Sequence, residues 1–162
     1  MDIKQAIVTS LTQGDFVVNA YLADLTSPDL LVRALPGSNH IAWQLGHLIS
    51  AERNLVNRVA PDVLEPLSPE FEARHKKETA GIDDAAAFYS KEEYDRLAKQ
   101  VRAGTLKVVA EADPALFDQP VAKMPPMVKT VGDLFLFINM HWLMHTGQWV
   151  MVRRKLGRPP LF

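Results

Sequence analysis

The 162-residue chain contains no cysteine. This absence excludes disulfide scaffolds, thiolate zinc sites, iron–sulfur clusters and cysteine nucleophiles. Charge of one sign is not in excess either, since 18 Lys and Arg residues stand against 19 Asp and Glu, for a formal net charge of -1. A nucleic-acid-binding surface needs basic residues concentrated on one face. The composition therefore argues against a nucleic-acid partner.

Long apolar runs are also absent. The most apolar window, residues 134–144, is about half as long as a membrane-spanning helix and contains His141. The N-terminus is amphipathic and lacks the basic start and apolar stretch of a signal peptide. We therefore expect a cytoplasmic protein without a membrane partner, and the length predicts a single domain over residues 1–162.

Hairpin signals of the Asn-Gly or Asp-Gly type do not occur, whereas apolar residues recur with the spacing of α-helices. The pattern predicts four long helices, bounded by capping residues, prolines and a C-terminal glycine. They run from Asp2 to Thr26, from a cap at Ser38 or Asn39 to a stop before Pro61, from a capping box at Ser90 to about Ala112, and from a cap at Thr130 to Leu156.

The connection between the second and third predicted helices carries information on topology. Residues 61–89 look like a surface connection with one short helical turn, and His75 within it is expected to be solvated. A helix of 20 residues is about 30 Å long, and a connection of this length can span that distance between parallel helices. We therefore predict an all-α fold, a four-helix bundle of the up-down-down-up type with a long crossover between helices two and three.

Three of the histidines are candidate metal ligands. His141 and His145 lie one helical turn apart on the inward stripe of the last helix, and an i,i+4 pair can chelate one metal ion. His47 lies at a similar depth in the second helix, so that the three can converge in the core. Three imidazoles without a carboxylate or thiolate leave a coordination position open, as in catalytic zinc sites. The alternative is three hydrogen-bonded core histidines.

Other polar residues have weaker cases. Gln148 follows His145 by one turn and is a candidate for hydrogen-bonding a ligand or metal-bound water, although glutamines in bundles often satisfy a neighbouring group. His40 lies on nearly the same face as His47 and is a candidate proton carrier at the pocket mouth. The alternative for His40 is an exposed histidine in the first turn. Glu52 points away from the face of His47, which indicates a partner among the charges beside Arg53 or on another helix.

Two sequence blocks resemble the DinB/YfiT-like superfamily. One is Ile41-Ala42-Trp43-Gln44-Leu45-Gly46-His47-Leu48, followed by Glu52, and the other is His141-x-x-x-His145-Thr146-Gly147-Gln148, followed by Arg153-Arg154-Lys155-Leu156-Gly157. The resemblance implies a four-helix bundle that is often a homodimer. It also implies a divalent metal ion held by His47, His141 and His145. Characterised members include metal-dependent enzymes that use low-molecular-weight thiols, as S-transferases or isomerases.

Our leading hypothesis is an enzyme that uses a metal-activated small thiol or water on a small electrophilic substrate, as a thiol S-transferase would. A metal-dependent hydrolase is the nearest alternative. A second class of function is a non-catalytic metal- or ligand-binding bundle, such as a stress-related dimer. A third class is an interaction module in which the three histidines do not form a cluster. Three imidazoles suit one divalent ion, with zinc or nickel placed ahead of iron or copper.

Overall fold

The computed structural model describes residues 2–159 and residue 161. Within this part of the chain no strand forms, and no helix is both long and apolar enough to cross a membrane. The prediction of an all-α protein with four long helices is confirmed, and the crossover adds a short fifth helix. The helices are α1 (Ile3–Leu22), α2 (Ile41–Asn57), α3 (Pro69–Arg74), α4 (Lys91–Glu111) and α5 (Val131–Lys155).

Side-chain caps set the starts of the long helices. Asp2 accepts a hydrogen bond from the backbone N–H of Gln5 at 2.8 Å, and Thr130 forms a capping box with Asp133. At α2 the predicted cap was wrong. The cap is His40, whose Nδ1 accepts from the N–H of Trp43 at 3.1 Å, because the Ser38 hydroxyl turns back to bond the backbone of Leu35 instead.

Contacts between helix ends give the direction of each long helix. Lys4, at the start of α1, donates to the carbonyl of Ala110 at the end of α4, so these two helices are antiparallel. Arg153, at the end of α5, donates to the carbonyl of Tyr21 near the end of α1, so that pair is parallel.

The direction of α2 completes the topology. Gln44, near the start of α2, accepts a hydrogen bond from Trp149 near the end of α5, so α2 is antiparallel to α5 and parallel to α4. With α1 pointing up, the order is up-down-down-up, as predicted. The long crossover joins the two parallel helices α2 and α4.

The crossover is a mostly exposed connection with one short helix, as predicted, but the expectation that His75 is solvated was wrong. Phe71 of α3 is buried, and His75 is only 5% exposed. His75 is buried because its ring has two partners: Nδ1–H donates to the carbonyl of Phe71 at 2.7 Å, and Nε2 accepts from the hydroxyl of Tyr94 at 2.8 Å. Burial lowers the pKa of His75 to about 4, which keeps the ring neutral and matches this donor and acceptor arrangement. The buried hydrogen bonds of His75 therefore hold the crossover against α4.

A polar network centred on a buried carboxylate joins the four long helices. Glu52 of α2 is 2% exposed and accepts from the guanidinium of Arg102 at 2.9 and 3.0 Å and from the hydroxyl of Thr105 at 2.7 Å, both on α4. On α5, the indole N–H of Trp142 donates to the same carboxylate at 2.7 Å. Arg102 also lies 3.2 Å from the carboxylate of Asp15 on α1. The expectation that Glu52 meets another helix is confirmed.

Glu52→Gln is expected to destabilise the fold by about 3 kcal/mol, because it leaves the buried Arg102 without its full counter-charge. For a domain of this size the melting temperature should fall by about 10 °C. The matched control is Glu70→Gln, which removes an exposed carboxylate paired with Arg74 and should change stability by less than about 0.5 kcal/mol. Equal melting temperatures for the two variants would contradict the role given to Glu52.

Candidate metal centre

The fold brings the three predicted histidines together. His47 comes from α2, and His141 and His145 come from consecutive turns of the antiparallel α5. One ring nitrogen from each residue lies within 4.8 Å of the other two, and all three side chains are half-buried. Nε2 of His47 and Nε2 of His141 are 3.3 Å apart. The three imidazoles therefore converge on one point between two helices.

Gln44 determines which nitrogen of His145 faces that point. The Gln44 Oε1 atom lies 3.0 Å from Nδ1 of His145 and accepts from the indole N–H of Trp149 at 2.9 Å. Because an indole can only donate, the atom at this position must be the amide oxygen. His145 consequently carries its proton on Nδ1, and Nε2 keeps a lone pair. Metal-binding histidines commonly have their second nitrogen held in this way.

Aromatic rings orient the other two imidazoles. The Trp43 indole stacks on His47 with ring centroids 5.2 Å apart and planes inclined by 4°. The Phe137 ring stacks on His141 at 5.9 Å with an interplanar angle of 15°. Stacking limits rotation of both rings about their side-chain bonds, so the positions of their nitrogens are largely set before any ligand arrives.

The electrostatics of the cluster favour neutral rings. Burial lowers the pKa of His47, and burial together with the neighbouring imidazoles lowers the pKa of His141 and His145 to about 4. At neutral pH the cluster therefore offers lone pairs without having to release protons.

The spacing of the nitrogens also fits a metal ion. Two nitrogens bound to one tetrahedral zinc at 2.0–2.1 Å lie about 3.3 Å apart, which equals the distance between Nε2 of His47 and Nε2 of His141. The three imidazoles and this distance could therefore accommodate a metal ion.

The crossover packs against α2 next to His47. Gly46 immediately precedes His47, and its Cα lies against the His75 imidazole, so closely that a Cβ at this position would overlap the ring. His75 is held in place by Phe71 and Tyr94. Glycine at position 46 therefore permits the close approach of α2 to the crossover that sets the position of His47 in the bundle.

In the described structure, the two other sequence candidates make no hydrogen bond or ring contact with the histidine cluster. His40 is fully buried rather than exposed, and its Nε2 donates to the carbonyl of Ile82 while Nδ1 caps α2. Gln148 is exposed, and its side chain makes no hydrogen bond to another described residue. The residue that sequence reasoning missed is Gln44. Its position three residues before His47, on the same helical face, was the available signal.

A groove opens beside His141. It has a volume of about 320 Å³ and is lined by residues of α2, α5 and the loop before α5. The lining residues are Ala51, Asn54, Leu55, Arg58, Met124, Pro125, Phe137 and His141. Met124, from the loop before α5, lines this groove, whereas Met127 of the same loop is exposed.

The DinB superfamily model matches residues 12–149, and the chain therefore belongs to this superfamily. Among solved structures it is similar to the crystal structure of a conserved protein from Enterococcus faecalis, with 16% sequence identity and a TM-score of 0.72. That alignment covers 98% of this chain and 99% of the other. At this identity the likeness establishes the fold alone. A comparison with curated proteins found no significant match.

Gly46→Ala is expected to destabilise the protein by about 1–3 kcal/mol, because the added methyl group must displace the His75 ring from its two hydrogen bonds. The matched control is Gly147→Ala, at a helical position where an added Cβ meets nothing within 4 Å. That change should stabilise α5 by up to about 1 kcal/mol. Urea denaturation of both variants measures the difference, and a shift of the same sign in both would contradict the packing argument.

Proposed function

We propose that this DinB-superfamily protein binds one divalent metal ion through His47, His141 and His145 and acts as a metal-dependent enzyme on a small electrophilic substrate. The observation that carries the proposal is the convergence of three neutral imidazole nitrogens, two of them at the spacing of tetrahedral ligands. Zinc or nickel is our preferred ion and iron or copper the alternative, since imidazole ligands suit all four.

The nucleophile in this proposal comes from outside the chain. The sequence has no cysteine, and no carboxylate is part of the histidine cluster. A bound divalent ion supplies Lewis acidity, which lowers the pKa of a thiol or of water to near neutrality. Because the three protein ligands are neutral, they leave the positive charge of the ion uncompensated, which favours this Lewis acidity. We favour transfer of a small thiol, because the adjoining groove has the apolar lining that suits an organic molecule.

The residues of the chain have separate tasks in this proposal. Gln44 keeps the His145 proton on Nδ1, so that Nε2 remains available. Trp43 and Phe137 hold the other two rings and cover part of the site with apolar surface, which limits access of water. The groove beside His141 offers the substrate a route along the ligating face of α2.

A structural role for the metal is less well supported. The helices are already joined by the Glu52 hydrogen bonds and by a continuous apolar core that includes Leu45, Leu48 and Ile138. A metal site that is needed for folding is typical of small zinc domains, in which the metal takes the place of a hydrophobic core. Metal removal by a chelator should therefore lower the melting temperature by only a few degrees and leave the circular dichroism spectrum unchanged.

Metal content of untagged protein, measured by elemental mass spectrometry, tests the proposal. We expect about one equivalent in the wild type and loss of the metal in His47→Ala and in His145→Ala. The matched control is His40→Asn, which removes a histidine outside the cluster and keeps an effective helix cap, so it should retain the metal. No metal in the wild type, with none taken up on titration, would refute the proposal.

Catalysis requires a separate measurement on the metal-loaded protein. We expect a small thiol and an electrophile such as a chlorodinitrobenzene to react faster in its presence, and the acceleration to disappear in His145→Ala. If metal binds but neither a thiol nor water reacts faster, the chain is a non-catalytic metal-binding bundle.

A further inference from the structure

The groove beside His141 runs along the ligating face of α2. Ala51, Leu55 and Arg58 continue the helical stripe that starts at His47, with steps of four, four and three residues. On the opposite wall, Phe137 lies one turn before His141 on α5. The groove therefore starts at the histidine cluster and extends toward the C-terminal end of α2, where Arg58 lies.

Arg58 is the one fully charged side chain that lines this groove in the described structure. Its guanidinium donates to the carbonyl of Ala122 at 2.7 Å and contacts the sulfur of Met124 at 3.0 Å. Within the described residues it forms no salt bridge, whereas six other arginines each pair with a carboxylate. Those pairs involve Arg33, Arg74, Arg96, Arg102, Arg153 and Arg158.

The Arg58 guanidinium therefore has donors available for a ligand. An arginine side chain carries five N–H donors, and the backbone carbonyl and the sulfur account for two. The groove between Arg58 and the histidines is lined mainly by Leu55, Met124 and Phe137 and contains no carboxylate. A cation at one end of an apolar channel matches a molecule with an apolar body and an anionic end.

We propose that the groove binds an elongated organic carboxylate whose reacting end lies at the histidine cluster and whose carboxylate pairs with Arg58. This assignment rests on the proposed function and names its substrate class. From His47 to Arg58 the α2 axis rises about 16 Å, which sets the scale of the molecule's length. An extended chain advances about 1.2 Å per bond, so a carboxylate about eight bonds from the reacting atom is of this scale.

The test uses protein loaded with cobalt(II) and two probes of equal length, 8-mercaptooctanoic acid and 8-mercapto-1-octanol. The thiol loses its proton to solvent and coordinates cobalt, and the sulfur-to-cobalt absorption band reports binding of either probe. We expect the acid to bind about tenfold more tightly than the alcohol, because a charge-assisted hydrogen bond forms at Arg58. Arg58→Gln should abolish this preference while leaving cobalt content and affinity for the alcohol unchanged.

The matched control is Arg53→Gln. Arg53 lies on the same helix and donates to the loop carbonyl of Glu65 at 3.1 Å, as Arg58 donates to Ala122, but it does not line the groove. It should keep the preference for the acid. Should Arg58→Gln fold poorly, Arg58→Lys retains the charge and should keep part of the preference. Equal binding of the two probes by wild type would overturn the proposal, as would the same loss of preference in both glutamine variants.

A measurement on metal-free protein separates this inference from the proposed function. Titration calorimetry with decanoate and 1-decanol should show tighter binding of decanoate by wild type and Arg53→Gln than by Arg58→Gln. If cobalt does not bind but this pattern appears, the metal proposal fails and the assignment of the groove stands. If cobalt and thiol bind while neither pair of probes distinguishes Arg58→Gln from wild type, only the assignment of the groove fails.

Discussion

The buried carboxylate of Glu52 is the constraint on which the arrangement of this bundle depends. A carboxylate removed from water must have its charge balanced and its lone pairs occupied. Glu52 meets this requirement with donors from Arg102, Thr105 and Trp142, which come from two other helices. Each donor reaches the carboxylate only if its helix lies at one axial position. The network thus sets the register of α4 and α5 against α2, which an apolar core alone would specify less strictly.

The histidine cluster follows from that register. Trp142 is adjacent to His141, so its hydrogen bond to Glu52 joins α5 to the helix that carries His47 close to the histidine cluster. Gln44 makes a second connection between the same helices through His145 and Trp149. These two polar contacts between α2 and α5 hold together the two helices that carry the three imidazoles.

Much of this arrangement could be predicted from the sequence. Long helices leave strong local signals, namely apolar periodicity and caps such as Asp2 and Thr130, and these predictions held. The convergence of His47 with His141 and His145 followed from equal depth in two helices. The burial of His75 could not be predicted, because its partner Tyr94 is distant in the chain and the surrounding segment is rich in acids and proline. His40 was missed as a cap because serine and asparagine precede it and are preferred there.

X-ray absorption spectroscopy of the zinc-loaded protein tests the central claim most directly, since it counts the imidazoles bound to the metal. The account predicts three imidazole nitrogens at about 2.0–2.1 Å from zinc, with a further light atom from solvent. In His47→Ala the number should fall to two or the zinc should be lost. Fewer than three imidazoles in the wild type, or a spectrum that His47→Ala leaves unchanged, would contradict a single centre shared by α2 and α5.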